Sequence, residues 1–126
     1  MERRTRLGAV LGLGSAKEGV GHWWAQRVTA IALVPLTLWF VFVAIGLMGT
    51  DYATFKEWVS NNGNALLLIL LVIALFHHAQ LGMQVVIEDY VHSEAVKVTS
   101  LLIMKFTAFV FAMSSILSVL RLSFGA

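Results

Sequence analysis

The sequence predicts an all-α membrane protein with three transmembrane helices, a cytoplasmic N-terminus and a C-terminus facing outward. Two observations carry that prediction. Of the 126 residues, 59% are hydrophobic and only 13% are charged. The apolar residues also come in three long blocks, each able to span a bilayer, which takes roughly 20 apolar residues per helix. The absence of cysteine excludes disulfides, thiolate metal sites and thiol catalysis. A net charge of +2, spread along the chain, does not point to a nucleic-acid partner. There is no internal repeat and no second domain, so residues 1–126 read as a single membrane domain.

Residues Met1 to Arg27 form a polar lead, and the apolar segment behind it is too long and too aromatic for a cleaved export signal. Glu2 and Glu18 interrupt the lead, unlike an acid-poor transit peptide. The expected location is therefore a bacterial inner membrane. The first span is read as Val28 to Met48, uncharged and with one proline, Pro35, which a membrane helix tolerates because neighbours satisfy the freed carbonyl. A loop from Gly49 to Asn64 follows, broken by Asn61-Asn62-Gly63-Asn64. The second span is Ala65 to about Ile87, the polar-leaning Glu88 to Lys97 forms a second loop, and the third span is Val98 to Leu120.

Arg3, Arg4, Arg6, Lys17 and Arg27 crowd the lead, whereas the first loop carries only Lys56. The positive-inside rule places the N-terminus and second loop in the cytoplasm, although Arg121 at the C-terminal end argues weakly the other way. Arg27 and Tyr90 then share the cytoplasmic side. His22, Trp23 and Trp24 belong to the same layer, where the tryptophans fit an interfacial aromatic belt.

His77 and His78 lie inside the second span, where ionisable residues are costly and usually face a bundle interior, a cofactor or a proton path. They project about 100° apart and cannot share one metal ion from opposite sides. His78 is flanked at four-residue offsets by Ala74 and Gly82, a small-His-small face that leaves a trough for a flat ligand. Such faces also serve plain helix packing. His77 has Ile73 and Leu81 at the same offsets and no such room. A lone imidazole in an apolar, cysteine-free site suits haem iron, whereas structural zinc would want four close ligands. His78 lies roughly 14 Å of helical rise above the cytoplasmic end. The third span presents Ala108 and Phe109 at that depth, and Met104 and Met113 miss it, so no second axial ligand is apparent in this chain. Either the iron is five-coordinate or another subunit supplies the sixth ligand. The chain reads as half of a two-subunit helical bundle.

Asp89 follows His78 by eleven residues, which places both on nearly one face, separated by roughly 16 Å. One reading has Glu88 and Asp89 simply ending the span, with Tyr90 an interfacial anchor. The functional alternative is a quinone site, with Tyr90 donating a hydrogen bond near water and Arg27 supplying positive charge. Asp89 would hold Arg27 or relay a proton if the two helices adjoin.

The stretch HAQLGMQVVIEDY resembles the small membrane-anchor subunit of succinate dehydrogenase, respiratory complex II. The N-terminal GSAKEGVGHWWAQRVTAIALVPL resembles the start of its first helix in alphaproteobacteria. Together these stretches cover about a third of the chain. The resemblance implies that His78 is an axial ligand of haem b, shared with a histidine of the larger cytochrome b anchor subunit. It implies that Tyr90 hydrogen-bonds a ubiquinone oxygen, that Asp89 orients that site and that Arg27 lies near the quinone pocket. A flavoprotein would oxidise succinate, and an iron–sulfur subunit would pass the electrons to ubiquinone at the cytoplasmic face; this chain would not oxidise succinate alone. Some relatives bind no haem, so a haem-free anchor and a fumarate-reductase-type anchor are the alternatives. A proton-relay subunit is a third, opposed by the lack of Asp or Glu inside any span. The resemblance assigns no role to His22, and it leaves His77 structural or beside the ligand. Lys105 either snorkels to the interface or meets a haem propionate.

Overall fold

The computed structural model describes residues 15–125, with side chains from residue 20 onward. Arg3, Arg4 and Arg6 of the basic lead lie outside the described residues, as does the side chain of Lys17. Four helices follow in order: α1 (Ser15–Leu47), α2 (Tyr52–Ser60), α3 (Asn62–Tyr90) and α4 (Glu94–Ser123). Three stretches within them, Val20–Leu47, Asn62–Tyr90 and Glu94–Ser123, are long and apolar enough to cross a membrane.

α1 begins well before the predicted span, at Ser15, and runs through Pro35 without a break. It stops where Gly49 takes a left-handed conformation at φ 82°, a geometry that glycine adopts without a Cβ penalty. The segment expected as a loop from Gly49 to Asn64 is mostly α2. Its start is fixed by Asp51, whose carboxylate accepts the Thr54 amide at 2.9 Å; hydrogen bonds from Thr54 hold that carboxyl below its ordinary value. Its end is a single residue, Asn61, which closes α2 through its amide and caps α3 through its side chain, accepting from Gly63 and Asn64. The asparagine-rich run is therefore a breaker one residue wide.

The second expected loop is shorter still. α3 continues through Glu88, Asp89 and Tyr90, and only Val91, His92 and Ser93 separate it from α4. Ser93 caps α4, accepting the Val96 amide at 3.5 Å. Polar side chains had suggested a loop there, but at a helix end they reach water without breaking the backbone ladder.

α3 is the centre of a three-helix row, packed against α1 on one face and α4 on the other. Its Ala74, His78 and Leu81 lie within about 60° of one another, on the face where His78 meets α1. Phe76, Ala79, Gln80 and Met83 lie on roughly the opposite face, against Met104, Thr107, Ala108 and Phe111 of α4. α2 closes one end of the row. Val59 is wholly buried there, Trp58 stacks on Trp39 and Phe55, and Lys56 Nζ donates to the Leu122 carbonyl at 3.2 Å.

The row buries little of itself. Among the described residues the apolar core is Val59, Ala65, Ala74, Leu81 and Ile87, and α4 contributes none of it. Large side chains such as Ile31, Phe42, Leu102 and Phe106 stand exposed along the spans. Such surface is unsuited to water but is matched by lipid or by other apolar helices, while the helices satisfy their own backbone groups. Because Val59 is the one fully buried large side chain among the described residues, Val59→Ala is expected to destabilise the solubilised chain by about 2 kcal/mol, from lost burial and a residual cavity. A lowered thermal midpoint with unchanged helical content would verify this; an unchanged midpoint would show that α2 does not hold the helix ends together.

Candidate functional site

His78 reaches from the middle of α3 to α1, where its Nδ1 and Thr29 Oγ1 share a hydrogen bond of 2.9 Å. Thr29 is nearly buried, 9% exposed, and is the one buried polar residue among those described. Its hydroxyl also lies 2.8 Å from the Ala25 carbonyl and 3.1 Å from that of Gln26, the back-bonding usual for threonine in a helix. The imidazole is half-buried, and among the described residues its Nε2 makes no hydrogen bond. His77, about 100° around the helix, is exposed.

The small residues beside His78 are not equivalent. Ala74 is buried on the face turned towards α1, so that half of the anticipated trough is filled by helix packing. Gly82 remains open, because a Cβ built there would meet nothing within 4 Å. Ala108 stands near the level of His78, sharing with Ala79 and Gln80 a groove of about 290 Å³ between α3 and α4. Met104 lines the same groove with Met83, and Phe109 and Lys105 are exposed on α4.

Thr29 and His78 also fix the relative levels of α1 and α3. Arg27 is two residues from Thr29, whereas Tyr90 is twelve from His78. At 1.5 Å per residue, Arg27 stands roughly 15 Å along the helices from Tyr90 and near the level of His78. The structure therefore does not bring Arg27 to the Asp89–Tyr90 end, and among the described residues it forms no ion pair with Asp89. Its guanidinium sits over the Trp23 ring, 5.2 Å from the centroid, while Trp23 meets Trp24 edge to face. Two turns before Thr29, His22 has a buried Nε2 without a hydrogen-bond partner among the described residues.

Asp89 and Tyr90 close the last turn of α3, and both are exposed, Tyr90 to 76%. Glu88 is tied to its own helix, accepting a hydrogen bond from Gln84 Nε2 at 3.1 Å. Because α3 is unbroken from His78 to Asp89, the two side chains keep the shared stripe that their spacing implies. No three His, Asp or Glu side chains among the described residues converge as a metal site. A metal held here would need ligands from its own cofactor or from another chain.

Sequence reasoning missed Thr29. The signal was a single hydroxyl in an otherwise apolar run, VTAIAL, but nothing local said that its partner lay 49 residues away.

Comparison with known proteins places the chain in a family. The profile of the family described as succinate dehydrogenase/fumarate reductase transmembrane subunit matches residues 1–114. The succinate dehydrogenase hydrophobic membrane anchor subunit of Rickettsia bellii is 38% identical over 92 residues, covering 73% of this chain and 74% of the relative. The succinate dehydrogenase membrane anchor subunit of Reclinomonas americana is 35% identical over 95 residues, covering 73% and 79%. The hydrophobic membrane anchor subunit of Paracoccus denitrificans is 37% identical over 82 residues, covering 65% and 64%. With its three spans and these relatives, the chain belongs to the succinate dehydrogenase/fumarate reductase transmembrane-subunit family, among the hydrophobic membrane anchors of succinate dehydrogenase.

Proposed function

We propose that this membrane anchor shares a b-type haem with the larger anchor subunit through His78 and forms one wall of a ubiquinone-reduction site with Asp89 and Tyr90. The observation that carries the reading is the state of the His78 ring: Nδ1 is engaged by Thr29, and Nε2 is left without a partner among the described residues. The residues present fit a haem. Gly82 leaves open space one turn from the imidazole, and Arg27 offers fixed positive charge near its level, where the carboxylate edge of a haem would be accommodated. His22, on the same helix as Arg27, carries a buried ring nitrogen with no hydrogen-bond partner among the described residues.

When bound, haem b takes up and releases one electron. The chain's own residues position, exclude and donate. His78 Nε2 would hold the iron, and a histidine of the larger anchor would supply the other protein ligand. Buried Ala74 and Leu81 of α3 and Thr29 of α1 shield one side of the half-buried imidazole from water. Tyr90, exposed at the end of α3, presents its hydroxyl as a donor to a quinone carbonyl oxygen, and Asp89 beside it is placed to accept a proton or orient a neighbouring donor. Arg27, by its level, serves the His78 end; the resemblance that put it near the quinone calls for a quinone pocket reaching that depth. The basic lead is proposed to face the cytoplasm, with α2 and the end of α4 on the outer side. The flavoprotein and iron–sulfur subunits would then dock at the Tyr90 end, and the exposed apolar flanks of the row would meet the larger anchor and lipid.

The testing experiment is a reduced-minus-oxidised optical spectrum of the complex purified through a tag on this chain. The expected result is a b-type band in a complex that contains the flavoprotein, the iron–sulfur subunit and a second anchor. An intact complex without that band would leave a haem-free anchor.

A further inference from the structure

We propose that Thr29 is the positioning residue of the His78 ligand: its hydroxyl accepts the Nδ1 proton of the imidazole and thereby fixes both the ring orientation and the nitrogen left free for iron. The inference rests on the haem reading above and adds a residue from a different helix to it. A threonine hydroxyl has one proton and two lone pairs. Thr29 Oγ1 lies 2.8 Å from the Ala25 carbonyl oxygen and 2.9 Å from His78 Nδ1. Two oxygens at 2.8 Å with no proton between them repel, so the hydroxyl proton lies towards Ala25 and the lone pair is turned to the imidazole. Nδ1 must then carry the hydrogen that fills the 2.9 Å contact, and the neutral ring has its lone pair on Nε2. Thr29 is only 9% exposed, so water does not compete for that hydroxyl.

The chemistry follows from the acceptor. A ring N–H that donates to a fixed oxygen makes the opposite nitrogen a better electron donor and holds the ring plane, as partners of metal-bound histidines generally do. A hydroxyl does this more weakly than a carboxylate. A neutral threonine therefore stabilises ferric iron moderately, and its loss raises the midpoint potential. The Ala25–Thr29–His78 chain also spans α1 and α3, so ligand geometry depends on how those two helices pack.

The test uses the whole complex with three substitutions: Thr29→Val, which keeps the shape and removes the hydroxyl; Thr29→Cys, which keeps a weaker acceptor; and Thr29→Ser, which keeps the hydroxyl. Haem content per complex is read from the optical band, haem affinity from competition with an apo-haem protein, and the midpoint potential from a redox titration. Thr29→Val is expected to weaken haem retention roughly tenfold or more, in the range usual for the loss of a partner to a ligating histidine. It is also expected to raise the midpoint potential. Thr29→Cys should shift the potential in the same direction by less, which keeps the test decisive if the valine complex does not assemble, and Thr29→Ser should restore the wild-type values. A normal wild-type band with unchanged potential and retention in Thr29→Val, or in Thr29→Cys where the valine complex is absent, overturns the positioning role alone. A wild-type complex without a b-type band overturns the haem reading and this inference together.

Discussion

Replacing His78 by alanine is expected to abolish or shift the b-type band in a complex that still assembles, whereas His77→Ala leaves the band in place. The contrast follows from the helix. His78 is half-buried and reaches α1 through Nδ1; His77 is exposed about 100° away and makes no side-chain hydrogen bond among the described residues. The structural cost of His78→Ala is modest, because Thr29 Oγ1 keeps its 2.8 Å bond to the Ala25 carbonyl and no buried hydroxyl is orphaned. One hydrogen bond lost at that price is worth about 1 kcal/mol. Helix packing at Ala74 and Leu81 and the α2 closure around Val59 remain intact. Loss of the band is therefore attributable to the ligand rather than to an unfolded anchor, provided that the partner subunits co-purify in ordinary amounts. The reverse pattern, with the band kept in His78→Ala and lost in His77→Ala, would move the ligand to the other histidine and leave the Thr29 contact a packing feature.

The parts of this arrangement that were legible in the sequence are those set by composition and by spacing along one helix. Three apolar blocks give three long helices, and the eleven-residue spacing puts His78 and Asp89 on one stripe because α3 runs unbroken between them. Helix ends were less legible. Glu88 to Lys97 is polar because it meets the interface, and hydropathy cannot distinguish polar helix from polar loop; the actual break is set by Ser93 acting as a cap. The same confusion hid α2, whose amphipathic turn is fixed by Asp51 and by the aromatic stack of Trp39, Trp58 and Phe55.

The levels of residues on different helices were not legible at all. Arg27 and Tyr90 stand near the same end of their spans by hydropathy, yet the Thr29–His78 contact sets them roughly 15 Å apart. That offset divides the positive charge from the phenol and distributes the candidate site residues over two depths. It also explains why the Ala74–His78–Gly82 face is only half a trough. Sequence gives the small residues on that face, but the approach of α1 decides which of them stays open.

At the other end of the stripe, Tyr90→Phe is expected to lower succinate-driven ubiquinone reduction roughly tenfold to a hundredfold while leaving assembly and haem content unchanged. A donor to an oxygen that gains charge during reduction is worth about 1.5–3 kcal/mol, and that range sets the fold-change. Tyr90 is 76% exposed and has no hydrogen-bond partner among the described residues, so removing its hydroxyl strands no group within the chain. The change in anchor stability should stay within about 0.5 kcal/mol. The decisive comparison uses two electron acceptors. Succinate oxidation by a dye that draws electrons from the soluble subunits should proceed at the wild-type rate, because the flavin and iron–sulfur centres are untouched. Ubiquinone reduction should fall, and Asp89→Asn, which keeps size but removes the carboxylate charge, should reduce it as well. Equal rates with both acceptors in Tyr90→Phe would make Tyr90 an interfacial anchor and move the quinone elsewhere. The Arg27 level, where positive charge and the stacked Trp23 ring stand beside the His78 end, would be the next place to look.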